Sequence, residues 1–100
     1  MYKRQYYSWY EERILKSRGT DLFYILQYFA EFIVGMNEPT QLESIPLLKE
    51  IAIINKDYFT RYTAYQILFI MNETLDLENV LQEIRENEQD ENLSAIYEKL

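Results

Sequence analysis

The chain has no cysteine and no histidine among its 100 residues. Without cysteine there can be no disulfide, no thiolate metal site and no cysteine nucleophile, and cysteine usage leaves the redox compartment open. With histidine gone as well, any metal site would be built from carboxylates, which favour hard ions over transition metals. Glycine and proline are almost as scarce, with only Gly19, Gly35, Pro39 and Pro46 interrupting the chain. An all-β domain of this length needs turn residues roughly every 8–12 positions, so helices are the expected element. Two scattered glycines cannot form a phosphate-cradling loop either, and no cofactor is expected. No run reaches the roughly 18 apolar residues of a membrane span. The opening Met1-Tyr2-Lys3-Arg4-Gln5-Tyr6-Tyr7 leads into no apolar signal core, so no membrane partner is expected.

What is present is apolar and aromatic. Hydrophobic residues make up 48% of the chain and aromatics 16%, too many for a disordered segment. One hundred residues suffice for a single domain with one modest core, so residues 1–100 are read as a single helical domain. The net charge of −7 is unevenly placed: residues 1–72 hold eight acidic and eight basic side chains, residues 73–100 nine acidic and two basic. The only basic excess lies at Lys3, Arg4, Arg13, Lys16 and Arg18, which is no phosphate-tracking stripe, so nucleic acid is not expected as a partner.

Periodicity and breakers divide the chain into six helices. Tyr2, Tyr6, Trp9, Tyr10, Arg13 and Ile14 recur at three- and four-residue steps on a first helix ending near Ser17. After Gly19, Thr20-Asp21 is the expected cap of a second helix whose buried face is Leu22, Ile25, Leu26, Phe29, Ile33 and Met36. Thr40-Gln41-Leu42-Glu43 fits a capping box opening a third, with Leu42, Ile45, Leu48, Ile51 and Ala52 inward and Pro46 in its early turns. Asp57 caps a fourth with Phe59, Tyr62, Ala64, Tyr65, Leu68 and Phe69; Asp76 starts a fifth and Asp90 a short sixth.

The segment Ile45-Pro46-Leu47-Leu48-Lys49-Glu50-Ile51, followed by Asp57, Arg61, Ala64, Ile67 and Leu68, resembles a HEAT repeat in residue type and spacing. That resemblance implies a proline early in a first helix, an aspartate in the turn, an arginine four residues on and a small residue three beyond it. Pro46, Asp57, Arg61, Ala64 and Leu68 are therefore the structural-motif candidates. Asp57 would cap the second helix, Arg61 would reach a carboxylate or carbonyl in a neighbouring turn, and Ala64 would let helices approach. The implied fold is all-α, a short α-solenoid of antiparallel helix hairpins in which stacked pairs bury what one pair cannot. The preceding pair has Asp21 but Ile25 where the arginine would stand, and the following pair lacks the signature. A plain helical bundle, with Asp57 only a cap and Arg61 a surface residue, is the competing reading.

A looser resemblance covers most of the chain. Asp21-Leu22-Phe23-Tyr24, then Ile45-Pro46-Leu47-Leu48, then the run from Tyr58 to Leu68, and the ending Glu83 to Glu88 followed by Leu93-Ser94-Ala95-Ile96-Tyr97, look like the C-terminal helical region of bacterial zinc aminopeptidases of the leukotriene-hydrolase and alanyl-aminopeptidase superfamily. The resemblance implies a non-catalytic scaffold and substrate-access domain, a fragment or terminal domain of a larger protein, whose partner is the catalytic domain of the same parent chain. No catalytic residue carries over, because without histidine there is no HExxH. The alternative, from a different class, is a free-standing helical-repeat adaptor that binds another protein. In both, the candidate interface is Tyr2, Tyr6, Trp9 and Tyr10 on the first helix, with self-association through that helix a further possibility. Paired acids such as Glu11-Glu12, Glu86 with Glu88, and Asp90-Glu91 lie in polar stretches and are read as solvated rather than catalytic.

Overall fold

In the computed structural model, which describes residues 2–100 with side chains from Gln5 onward, the chain is all-helical, with no strand among the described residues. Six helices follow one another: α1 (Tyr2–Lys16), α2 (Gly19–Val34), α3 (Glu38–Ile54), α4 (Tyr58–Met71), α5 (Glu78–Asn87) and α6 (Glu91–Lys99). The connections are short, so consecutive helices fold back on one another.

Each boundary has a local chemical cause, and three differ from the sequence expectation. Helix α1 ends where the Arg18 guanidinium donates to the carbonyls of Leu15 (3.1 Å) and Ser17 (2.9 Å), satisfying orphan acceptors of its last turn. Gly19 follows at φ +57, a left-handed conformation that other residues rarely take, and a Cβ there would meet nothing within 4 Å, so glycine serves the backbone rather than the space. Thr20 and Asp21, expected to cap α2, instead lie inside its first turn, since the reversal at Gly19 starts the helix before them. Helix α3 opens at Glu38, not at Thr40: the Asn37 side chain accepts the Thr40 amide at 3.1 Å, and Pro39 fits the first turn, where no amide is needed. Asp76 does not start α5. Its N-terminal end is fixed from behind by Asn72, whose Oδ1 accepts the Leu77 amide at 2.7 Å, while Leu75 and Leu77 turn into the core. Asp57 and Asp90 do cap α4 and α6, accepting from Thr60 and Leu93 at 2.9 Å each.

Helix α4 is the centre of the packing. It forms the most extensive pair with α3, lies along α2 and touches α5, and Tyr97 of α6 stacks on its Tyr65 with ring centroids 3.9 Å apart. Ala64, Tyr65, Ile67 and Leu68 are buried, joined in one core by Leu26, Phe29, Ile33, Leu48, Leu81, Ile84 and Leu93. Burying a large apolar side chain stabilises by roughly 1.5–3 kcal/mol, so this cluster is the main favourable contribution. Phe59 and Leu42, expected to be inward, are exposed, each on the outer side of its helix. The Cα atoms span 42 × 29 × 17 Å. The shortest dimension is that of two helix layers at the usual 8–10 Å spacing.

Four polar residues, Gln41, Ser44, Thr60 and Thr63, are buried with this core, and Gln41 links two helices. Gln41 is buried, and its Nε2 donates to the carbonyls of Ile33 (3.1 Å) and Val34 (3.3 Å) at the end of α2, a side-chain cap supplied by the next helix. Gln41→Ala is expected to destabilise the fold by about 1–2 kcal/mol, since it removes two hydrogen bonds made by a buried amide and leaves a gap beside the end of α2. Leu42→Ala, one residue on and exposed, is expected to cost close to nothing. Urea midpoints of the two variants at unchanged slope check this; equal midpoints would remove Gln41 from the folding argument.

Candidate functional site

The motif residues meet at one edge of the molecule, where the α3–α4 and α5–α6 turns lie side by side. Asp57 caps α4 through Thr60, receiving both its amide and its hydroxyl. One turn along, Arg61 spans two turns. Its Nε and Nη2 donate to the two carboxylate oxygens of Glu88, at 3.0 and 2.9 Å, and its Nη1 donates to the carbonyls of Asn55 (2.9 Å) and Lys56 (3.3 Å). The hydrogen bond to Glu88 raises the guanidinium's pKa further, so the charge is permanent. Glu88 also accepts the Asp90 amide at 3.0 Å, tying the α6 start into the same knot. The Arg61 side chain is 14% exposed and that of Glu88 2%. Such two-pronged, charge-assisted bonds fix geometry as well as contribute energy.

Glu88 therefore corrects the reading of Glu86 and Glu88 as a solvated pair: Glu86 is exposed, while Glu88 is the buried partner of Arg61. Nothing local marked it, because its burial is created by a residue 27 positions earlier. Of the other motif residues, Ala64 and Leu68 are fully buried on α4 and Pro46 is exposed within α3. Arg61, Ala64 and Leu68 join helices and Asp57 caps one, while Arg61 and Glu88 also line a shallow cleft with Ile53, Ile54 and Asn87.

Beside the knot, the Tyr65 hydroxyl accepts from Arg85 at 3.0 Å, and Tyr62 and Tyr65 of α4 flank the Tyr97 ring. The Tyr97 hydroxyl is buried without a hydrogen-bond partner among the described residues. Burial pushes its pKa up, with the neighbouring Glu88 carboxylate acting in the same direction.

The candidate interface divides on the structure. The Tyr2 side chain lies outside the described residues. Tyr6 and Trp9 are 59% and 47% exposed, and Arg13 lies over the Trp9 ring at 4.9 Å, a cation–π contact on the helix surface. Tyr10 belongs elsewhere: it packs on Phe29 and Phe32 of α2, with centroids 5.6 and 4.9 Å away. The inward face of α1 is Tyr7, Tyr10 and Ile14, which splits the expected stripe: Tyr10 and Ile14 turn inward, Tyr6 and Trp9 outward. The aromatic run Tyr6-Tyr7 and Trp9-Tyr10 puts a ring on both faces, so periodicity alone could not choose between them. No protein-family model, curated protein or solved structure matches the chain. The surface itself must then carry the functional reading. Among the described residues no group of three or more acids is placed to hold a metal ion, and no helix is long and apolar enough to cross a membrane.

Two measurements follow from the knot. Arg61→Ala should destabilise the domain by about 3 kcal/mol, because it leaves the Glu88 carboxylate buried and unpaired, whereas Lys56→Ala should cost near zero. Pairing Arg61→Ala with Glu88→Gln in a double-mutant cycle should recover much of the loss, and additive effects would show the two groups act separately. Tyr97→Phe keeps both ring stacks and removes an unpartnered hydroxyl, so at neutral pH it should be neutral or stabilising within about 1 kcal/mol. With the folded-state pKa raised, Tyr97 favours the folded state below its ordinary value of about 10 and loses that contribution as the pH climbs past it. The Phe variant should therefore lose less stability above pH 10 than the wild type in alkaline denaturation.

Proposed function

We propose that the chain is a non-catalytic helical-repeat module that binds a protein partner through the open end of its stack at α1. What supports the solenoid is register. Gln27 of α2 bonds Thr63 of α4 at 3.3 Å across 36 positions, and Phe23 and Phe59, also 36 apart, line one cleft. A constant offset means that α2 and α4 run parallel, as second helices of successive hairpins do and as alternate helices of an up-and-down bundle also do. The offset of α1 from α3 is the same at their starts, Tyr2 and Glu38. The pairs α2 with α4, and α3 with α5, are in contact as well as the members of the first two hairpins.

The observation that carries the reading is where Trp9 points. At 100° per residue, Tyr6, Trp9 and Arg13 lie about 100° to one side of the inward Tyr7, Tyr10 and Ile14. Leu15 lies about as far to the other side and lines the groove shared with Leu47, Ile51 and Ile54 of α3. The aromatic strip thus occupies the flank of α1 turned away from the rest of the stack, where one more hairpin would sit. An apolar strip with a charged rim is the composition of a protein interface, in which Trp, Tyr and Arg carry much of the binding. In its narrower form, the partner is the catalytic domain of a zinc aminopeptidase and this chain its C-terminal scaffold and substrate-access domain. That form rests on the sequence resemblance, and gene sequence upstream of Met1 encoding an HExxH tests it.

If the strip is an interface and no part of the core, Trp9 in the isolated chain will be open to acrylamide and iodide at low concentration. Tyr6→Ser with Trp9→Ser will then leave the unfolding midpoint unchanged within about 0.5 kcal/mol. A shielded Trp9 in a monomer, or a loss of 2 kcal/mol or more, would place the strip in the core and remove the reading.

A further inference from the structure

The two ends of the stack differ in chemistry. At the α1 end the aromatic strip is bordered by Arg13, Lys16 and Arg18, with Glu12 bridged to Lys16 at 2.8 Å and Asp21 beside them, and residues 1–18 carry five basic and two acidic side chains. Helix α6 turns Leu93 and Tyr97 inward, Tyr97 against α4. Glu91, Ala95 and Glu98, at steps of four and three, therefore share the face directed away from α4, which is the opposite end of the stack. That face borders a shallow groove with Glu88 and Asp90, and residues 73–100 carry nine acidic side chains against two basic. Glu88 is already held by Arg61 and Asp90 accepts the Leu93 amide, which leaves Glu91, Glu98 and the single base Lys99 as the outward charges, net acidic.

Resting on the interaction-module reading, we propose that the partner of the α1 end is the α6 end of a second copy, stacked head to tail so that the basic aromatic strip meets the acidic face. Opposite charges already join hairpins within the chain, there with the base on the earlier hairpin and the acid on the later one. Lys49 of α3 bridges to Glu83 of α5 at 2.8 Å, and Arg61 of α4 to Glu88, so in each case a basic residue of one hairpin is joined to an acid of the next hairpin or its turn. Ala95 leaves room between Glu91 and Glu98 for a ring from the facing strip. A contact between unlike ends continues from copy to copy into a ring or an open series, in contrast to the two-fold dimer that pairing of α1 with α1 would give. Two α1 ends would also oppose Arg13 and Lys16 of each copy with the same charges.

The test is sedimentation of the full chain against concentration, at low and high salt, with two charge-reversed variants. Arg13→Glu with Lys16→Glu alters the α1 end, and Glu91→Lys with Glu98→Lys alters the α6 end; all four side chains are exposed, and circular dichroism melts confirm that both variants are folded. The wild type should form a concentration-dependent series of species that shortens at high salt. Each variant alone should associate at least about tenfold more weakly. Mixed, the two should regain assembly, because each altered end now faces an end of opposite charge. An α6-end variant that dimerises as well as the wild type would overturn the proposal in favour of α1-to-α1 pairing. A wild type that stays monomeric with Trp9 open to quencher would overturn it too, while leaving the interaction module standing with a different partner. A monomer with Trp9 shielded would overturn both.

Discussion

Everything in this fold depends on keeping α4 out of water. Fourteen residues long, it offers the solvent little besides Phe59, Gln66, Phe69 and Ile70, and buries residues around most of its circumference. No single neighbour can cover so wide a face. Helix α3 covers one side, α2 another, α5 and Tyr97 of α6 a third. The three coverings reinforce one another, because each apolar residue of α4 is dry only when the adjacent helix is also in place. Helix α1 stands apart from this dependency. It reaches the core through α2, by way of Tyr7, Tyr10 and Ile14, and so its other flank is free to serve something else.

Apolar burial is not directional, and the polar contacts supply the register. Several sit at helix ends: Arg18 on the last carbonyls of α1, Gln41 on those of α2, Asn72 on the Leu77 amide, Arg61 on two carbonyls and a carboxylate. A helix in an apolar groove can slide by a turn at modest cost, whereas its terminal N–H and C=O groups have one place where partners await them. The Arg61–Glu88 pair is the clearest case. A buried ion pair contributes little net stability compared with an apolar pair of equal volume, since both charges must be desolvated. Its contribution is to make every other alignment of the two turns worse, by leaving a charge buried alone. Asn55, Lys56, Glu88 and Asp90, from two separate turns, are thereby held to one guanidinium.

The number of helices and most of their spans were legible in the sequence, because strong apolar periodicity and single breakers such as Gly19 and the Asp57 cap act within a few residues. The starts of α2, α3 and α5 were not, since several residues in each turn could cap and only the assembled turn selects one. Asn37 won over Thr40 because it lies where the chain is already extended, at ψ 164. The inward face of α1 was unreadable for another reason: adjacent aromatics satisfy two helical phases equally, and Phe29 and Phe32 of α2 decide between them. The spacing Asp57, Arg61, Ala64 suggested that an arginine would look for a carboxylate in a neighbouring turn. Which carboxylate it would find was hidden, because Glu88 looks in sequence like any member of an acidic, solvent-facing stretch.

The unequal ends of the molecule follow from the same physics. On the proposed repeat reading, a stack of amphipathic hairpins has two terminal faces, and each must be made polar or be covered. At the far end the covering is internal to the sequence: α5 and α6 are short, and their exposed positions are mostly acids and amides, with Ala95 and Lys99 beside Glu91 and Glu98. At the near end no such substitution has been made. Tyr6 and Trp9 occupy positions where Glu or Lys would cost α1 nothing in helix propensity and would hide the surface from other chains. Arg13 laid over the Trp9 ring shields one side of it and keeps a positive charge at its edge, a compromise that limits indiscriminate sticking without making the flank polar. Nothing in the core requires an aromatic residue at either position, since Tyr7, Tyr10 and Ile14 already fill the contact with α2. The rings at Tyr6 and Trp9 are thus surplus to the internal packing of α1, which is why the proposed contact with another protein is placed on this flank.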